Sequence, residues 1–158
     1  MRSRGLHRRN RAMSQTYNIF YTDSTKAIEW VTNGLCTDEM ISDQADAGLA
    51  HMQLELDEFN ICENHYVNNA GNGVVEYSTL SPSVSAASIA IDATSTITNI
   101  PVGTTIVVER GRETISTITM DSDESLTLTG TMAGLYNFTF SKAKYYSATT
   151  TITVQAQS

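Results

Sequence analysis

From Ile97 to Val154 the chain alternates threonine with isoleucine, valine or leucine, and that pattern leaves few choices of fold. β-Branched side chains pack well on a pleated surface and lose rotamer freedom in a helix. Alternation at period two therefore predicts strands with one buried and one solvated face. Counting from Ile89, seven such runs follow: Ile89–Ile91, Ser95–Thr98, Thr104–Glu109, Thr114–Thr119, Ser125–Thr129, Leu135–Phe140 and Thr149–Val154. Pro101-Val102-Gly103, Arg110-Gly111-Arg112, Asp121 to Glu124, Gly130 to Gly134 and Ser141 to Ser147 separate them with turn compositions.

Seven short strands punctuated in this way predict an immunoglobulin-like β-sandwich over residues 89–158, without the Cys-Trp-Cys pattern of antibody domains. Residues 78–88 are small and polar and include Pro82, so they read as a semi-extended linker. Before it, residues 14–77 predict a small α+β domain. Tyr17–Thr22 and Ala27–Thr32 flank the turn signal Asp23-Ser24-Thr25-Lys26 as a hairpin. Thr37 or Asp38 caps a helix to about Ala47, with Asp38 and Glu39 at its positive end and Gly48 as its stop. His51–Leu56 carries Met52, Leu54 and Leu56 at period two, and His65–Val67 and Val74–Tyr77 flank an Asn/Gly cluster whose final Asn72-Gly73 suits a hairpin turn. The fold class is mainly β.

Charge is unevenly distributed. The formal net charge is −7, yet Arg2, Arg4, Arg8, Arg9 and Arg11 supply half of the ten basic residues. From Met13 onward five basic residues face seventeen acidic ones, a body that repels nucleic-acid phosphate. Residues 1–13 read as a disordered basic leader or, as the position of Met13-Ser14 favours, as sequence upstream of a later start. The leader lacks the apolar run of a secretory signal, and no stretch approaches the eighteen apolar residues of a membrane span, so no membrane insertion is expected. Cys36 and Cys62 are too far apart in sequence for a redox pair and too few for a zinc site; a single disulfide between them stays open.

The segment Ile100-Pro101-Val102-Gly103-Thr104-Thr105-Ile106-Val107-Val108, then Gly134-Leu135-Tyr136-Asn137-Phe138-Thr139-Phe140 and a last strand after Tyr145-Tyr146, resembles the immunoglobulin-like modules of tailed-bacteriophage virion proteins. In such modules a Pro-Gly-x-Tyr element starts the penultimate strand; Ala133-Gly134-Leu135-Tyr136 has alanine in place of the proline. The resemblance implies that Tyr136 is a corner tyrosine, its hydroxyl bonded back to the backbone. The opening half, with its Trp-bearing hairpin, acidic helix and Val74-Val75-Glu76-Tyr77, is similar to the small leading domain of some short phage tail-associated proteins. Together the two resemblances cover Tyr17 to Val154.

What they imply is a non-enzymatic structural protein of the virion, assembled in the host cytoplasm in many copies with other virion proteins. A tail or fibre-attachment component with a projecting immunoglobulin-like domain is the first expectation. A carbohydrate-binding host-adhesion module and a capsid decoration protein are the alternatives.

No catalytic, cofactor or metal residues are expected. His51 and His65 lack metal-ligand spacing, and on a strand His51 points away from Met52 as a solvated edge residue. Asp38, Glu39, Asp43 and Asp46 form an acidic helical face, and Asp57, Glu58 and Glu63 a second cluster; both read first as solvated and second as docking for a basic partner. Asp121-Ser122-Asp123-Glu124 begins like a calcium loop but has Leu126 and Met132 where glycine and glutamate are needed, so it reads as a turn. Trp30, Tyr145 and Tyr146 are the candidate contacts for a host surface glycan or a partner, because flat rings stack on sugars. For Trp30, core packing is the stronger expectation.

Overall fold

The computed structural model describes residues 14–57, 60–122 and 125–156. The basic leader, Glu58 of the second acidic cluster, and Asp123 and Glu124 of the expected turn lie outside the described residues. After Glu76 the chain divides into two compact units.

In the first unit, β1 (Gln15–Thr22) pairs antiparallel with both β2 (Ile28–Thr32) and β3 (Leu49–Leu56). Tyr17, Ile19 and Tyr21 point to one face and join Ile28, Met52, Ile61 and Val67 in a core. Asn18 and Phe20 point to the other face and are equally buried. A central strand covered on both sides loses clean alternation, which is why Tyr17 to Thr22, though rich in β-formers, alternates only in part. Between β2 and β3, α1 (Asp38–Asp46) starts at Thr37, whose hydroxyl accepts from the Met40 amide at 3.2 Å. It ends before Gly48, which takes φ +87°.

A second hairpin, β4 (His65–Val67) with β5 (Val74–Glu76), joins the first through a bridge between Ala27 and Tyr66 and the Val67 amide's bond to the Lys26 carbonyl (2.9 Å). The positive φ in its loop falls at Gly71 (+70°), not at the Asn72-Gly73 pair favoured by the sequence. Asn68 explains the difference. Its Oδ1 accepts from the Asn72 amide (3.1 Å) and its Nδ2 donates to Asn72 Oδ1 (2.9 Å), so the asparagines brace a longer loop and leave the left-handed position to glycine.

The second unit begins with β6 (Ser78–Thr79), β7 (Ser83–Val84) and β8 (Ser88–Ala90), followed by β9 (Thr94–Thr98), β10 (Thr105–Arg110), β11 (Glu113–Thr119), β12 (Leu126–Thr129), β13 (Gly134–Ser141), β14 (Tyr145–Tyr146) and β15 (Ala148–Gln155). One sheet has the order β11-β10-β13-β15-β8 and the other β12-β9-β7. Each of the seven predicted runs forms a strand. Ile106, Val108, Tyr136, Phe138, Phe140, Ile152 and Val154 from the larger sheet meet Ile97 from the smaller, with Leu126 and Leu128 packed against them. This is a two-sheet sandwich with one core, filled from β8, β9, β10, β12, β13 and β15, with β11 outside it.

The stretch 78–88 differs from the expected linker. It contributes β6, β7 and the start of β8, and places Leu80 in the core with Val84 beside it. Its small residues have a structural purpose: between β7 and β8 the chain leaves one sheet for the other, pairing first with β9 and then in parallel with β15. At that crossing the buried Ser95 hydroxyl donates to the Ala86 carbonyl (2.7 Å) and lies 3.2 Å from the Ala86 amide, which donates to it. Thus one side chain satisfies both backbone groups of a residue in transit between sheets. Composition alone hides this, because a strand that changes sheets is short and small.

Ser95→Ala leaves two half-buried backbone groups of Ala86 without their partner, so urea unfolding of the full chain should show a loss of about 1 kcal/mol. Thr127→Ala, on the exposed face, should stay within about 0.5 kcal/mol of the parent.

Candidate functional site

Trp30 and Phe20 are cross-strand partners in the first unit, and their rings stack with centroids 4.0 Å apart and planes 12° apart. On the other side of Phe20 lies its partner on β3, His51, at 4.8 Å and 37°. Three rings from three strands thus form a row across the sheet. Phe20 is fully buried, and the Trp30 indole Nε1 donates to Gln44 Oε1 of α1 at 3.2 Å. Offset ring pairs of this kind contribute roughly 0.5–1.5 kcal/mol beyond burial. Trp30 is half-buried, and what engages it is the packing of the helix over the sheet.

His51 is therefore a packed residue and not the solvated one expected from strand alternation, because α1 and the aromatic row occupy the face that alternation assigns to solvent. Its Nε2 is 2.9 Å from Asn18 Oδ1, which also accepts from Gln53 Nε2 at 3.0 Å. The Asn18 amide donates to the Gly34 carbonyl at 3.1 Å, which fixes its orientation. Since Oδ1 only accepts, the hydrogen sits on His51 Nε2. Burial lowers the His51 pKa from the ordinary 6.5.

The acidic helix exposes its carboxylates. None of its residues is buried, and Leu35 (91% exposed) and Met40 stand open near its start. Cys36 and Cys62 are free and half-buried. Burial pushes the Cys62 thiol up, and the neighbouring Glu63 charge adds to this, so it stays protonated at neutral pH. His65 Nδ1 lies 2.6 Å from Asn64 Oδ1 at the entry to β4. Among the described residues, no three His, Cys, Asp or Glu side chains converge as a metal-ion site would require, and each buried side-chain nitrogen or oxygen has a hydrogen-bond partner.

In the second unit, Tyr145 and Tyr146 form β14, paired in parallel with Ser78 and Thr79 of β6. Both rings are half-buried. Lys142 Nζ lies 5.0 Å from the Tyr145 ring centroid and donates to the Val102 carbonyl at 2.6 Å; the Tyr146 ring meets Tyr77 edge-on at 5.9 Å. The sequence places these tyrosines near a loop, but backbone pairing and neighbouring side chains hold them as part of the wall.

Tyr136 is buried, and its hydroxyl donates to the Met132 carbonyl four residues upstream at 3.0 Å, the bond of a tyrosine corner. Beside that corner lies a groove of about 470 Å³, lined among others by Arg110, Glu113, Ile115, Thr129, Met132 and Tyr136. Its walls are the terminal strands of the two sheets, β11 and β12. Arg110 faces Glu113 at 3.9 Å and directs Nη1 at Met132 Sδ at 2.9 Å, so its charge is already engaged. Sequence reasoning does not find this groove, since it arises from two edges separated along the chain and brought to one flank by the fold.

The lowered His51 pKa gives a pH dependence with a definite sign. The folded chain binds that proton less readily than the unfolded chain, so stability is highest above 6.5 and falls as pH drops from there through the lowered folded value. His51→Gln should flatten this part of the profile, measured by unfolding followed through the single tryptophan, Trp30.

No protein-family model and no curated protein matches the chain.

Proposed function

We propose that this chain is a non-enzymatic structural protein of a phage particle, a tail or fibre-attachment component whose second unit projects as an immunoglobulin-like spacer. The observation that carries this reading is the second unit itself. Its inward side chains fill a single two-sheet core, its Tyr136 corner follows Ala133-Gly134, and many of its outward strand positions are threonine. A domain built this way offers faces and edges for assembly rather than a convergent set of reactive groups. The resemblance of Ile100–Val108 and Gly134–Phe140 to virion modules gives that architecture its setting. Other virion proteins are the partners this reading implies, with virion as the location. Among the described residues no helix is long and apolar enough to cross a membrane.

The test is co-purification. Particles banded by density and washed in high salt should retain the chain at a fixed ratio to the major structural proteins, read by mass spectrometry. Absence from such particles would overturn the proposal. Glycan-array binding by the full chain that disappears with Tyr145→Ala or Tyr146→Ala would move the reading to host adhesion.

A further inference from the structure

We propose that β11 is a self-complementary edge through which two copies of this chain pair antiparallel, joining their larger sheets into one. Within the second unit four strands end a sheet of the sandwich: β7 with two residues, β8 with three, β12 with four and β11 with seven. Length matters because each further residue of an unpaired edge offers backbone groups to an incoming strand. Proteins guard such edges with proline, lysine, inward charges or bulges. From Thr114 to Thr119 (Thr-Ile-Ser-Thr-Ile-Thr) there is no charge and no proline, and a bulge opposite Val108/Glu109 is the guard this stretch carries. Four of those six residues are exposed, and Ile115, at 45%, lies at the adjoining groove.

What makes the occupant a second copy is the placement of charge. Arg112 stands exposed at the start of the strand and Asp121 stands exposed just past its end. A two-fold axis perpendicular to the sheet runs the partner strand in the opposite direction and keeps the same face outward. Centred on Ser116, the midpoint of β11, it sets Glu113 opposite Thr119, Ile115 opposite Thr117, and Arg112 opposite Met120, next to the second copy's Asp121. The opposite charges then meet at both ends. A parallel copy would set arginine beside arginine, and an uncharged peptide would leave both charges unanswered. The result is a continuous sheet of ten strands, five from each copy. This inference is independent of any role in a particle, because it concerns the purified chain.

Sedimentation velocity of the full chain across a wide concentration range tests it. The parent should show a reversible monomer–dimer equilibrium. Ile115→Lys with Thr117→Lys sets like charges opposite one another at the seam and should weaken the dimer by roughly tenfold or more, with circular dichroism unchanged. Arg112→Glu alone and Asp121→Arg alone should each weaken it by about tenfold, and the two together should restore it. Because both swapped positions are exposed, that cycle stands even if the lysine pair disturbs folding. A chain that is monomeric throughout, or a dimer indifferent to the charge swap, would overturn the proposal.

Discussion

The placement of β13 between β10 and β15 is the packing relation on which the second unit depends. It brings Tyr136, Phe138 and Phe140 inward as neighbours, against Ile106 and Val108 on one side and Ile152 and Val154 on the other. Burying each such side chain contributes roughly 1.5–3 kcal/mol, so this one strand and its two partners hold much of the apolar stabilisation of the unit. Ile97 closes the core from the facing sheet. Gly130 lets β12 approach: a Cβ there would lie 2.9 Å from Val154 Cγ1. Closeness between the sheets is thus set by the residue with no side chain.

The two flanks of the sandwich are built differently. On one, the chain from β7 to β8 crosses between sheets and is tied by Ser95, which satisfies the crossing backbone and closes that side. On the other, β11 and β12 both end their sheets beside a groove, which the Arg110 side chain crosses to reach Met132 Sδ. The first unit is a separate case, in which a helix and the row Trp30, Phe20 and His51 cover the second face of a three-stranded sheet.

The strands of the second unit were legible because alternation of threonine with aliphatic residues is a local property, and so was the helix, because Thr37 and Gly48 bracket it in sequence. The pairing of 78–79, 83–84 and 88–90 was not legible. It depends on Tyr145, Ile97 and Val154, which are distant in the chain, and on a serine whose burial no local pattern announces. His51 departs from its expected solvation for the same reason: alternation names its face, while the covering of that face comes from α1 and Phe20. Of the ring candidates, sequence identified Trp30, Tyr145 and Tyr146 as residues, but their stacking, cation contact and strand pairing arise only from tertiary neighbours. The edge character of β11 was equally hidden, since its sequence is that of any other Thr-rich strand.

The central claim is that β13 is the paired middle of a packed sandwich, and residue-resolved hydrogen exchange of the intact chain measures this most directly. Amides of Gly134–Ser141 and Ala148–Gln155 should be the slowest of the second unit, exchanging only through its global opening. Exchange in those two strands as rapid as in the exposed loop at Asn33 to Leu35 would contradict the account.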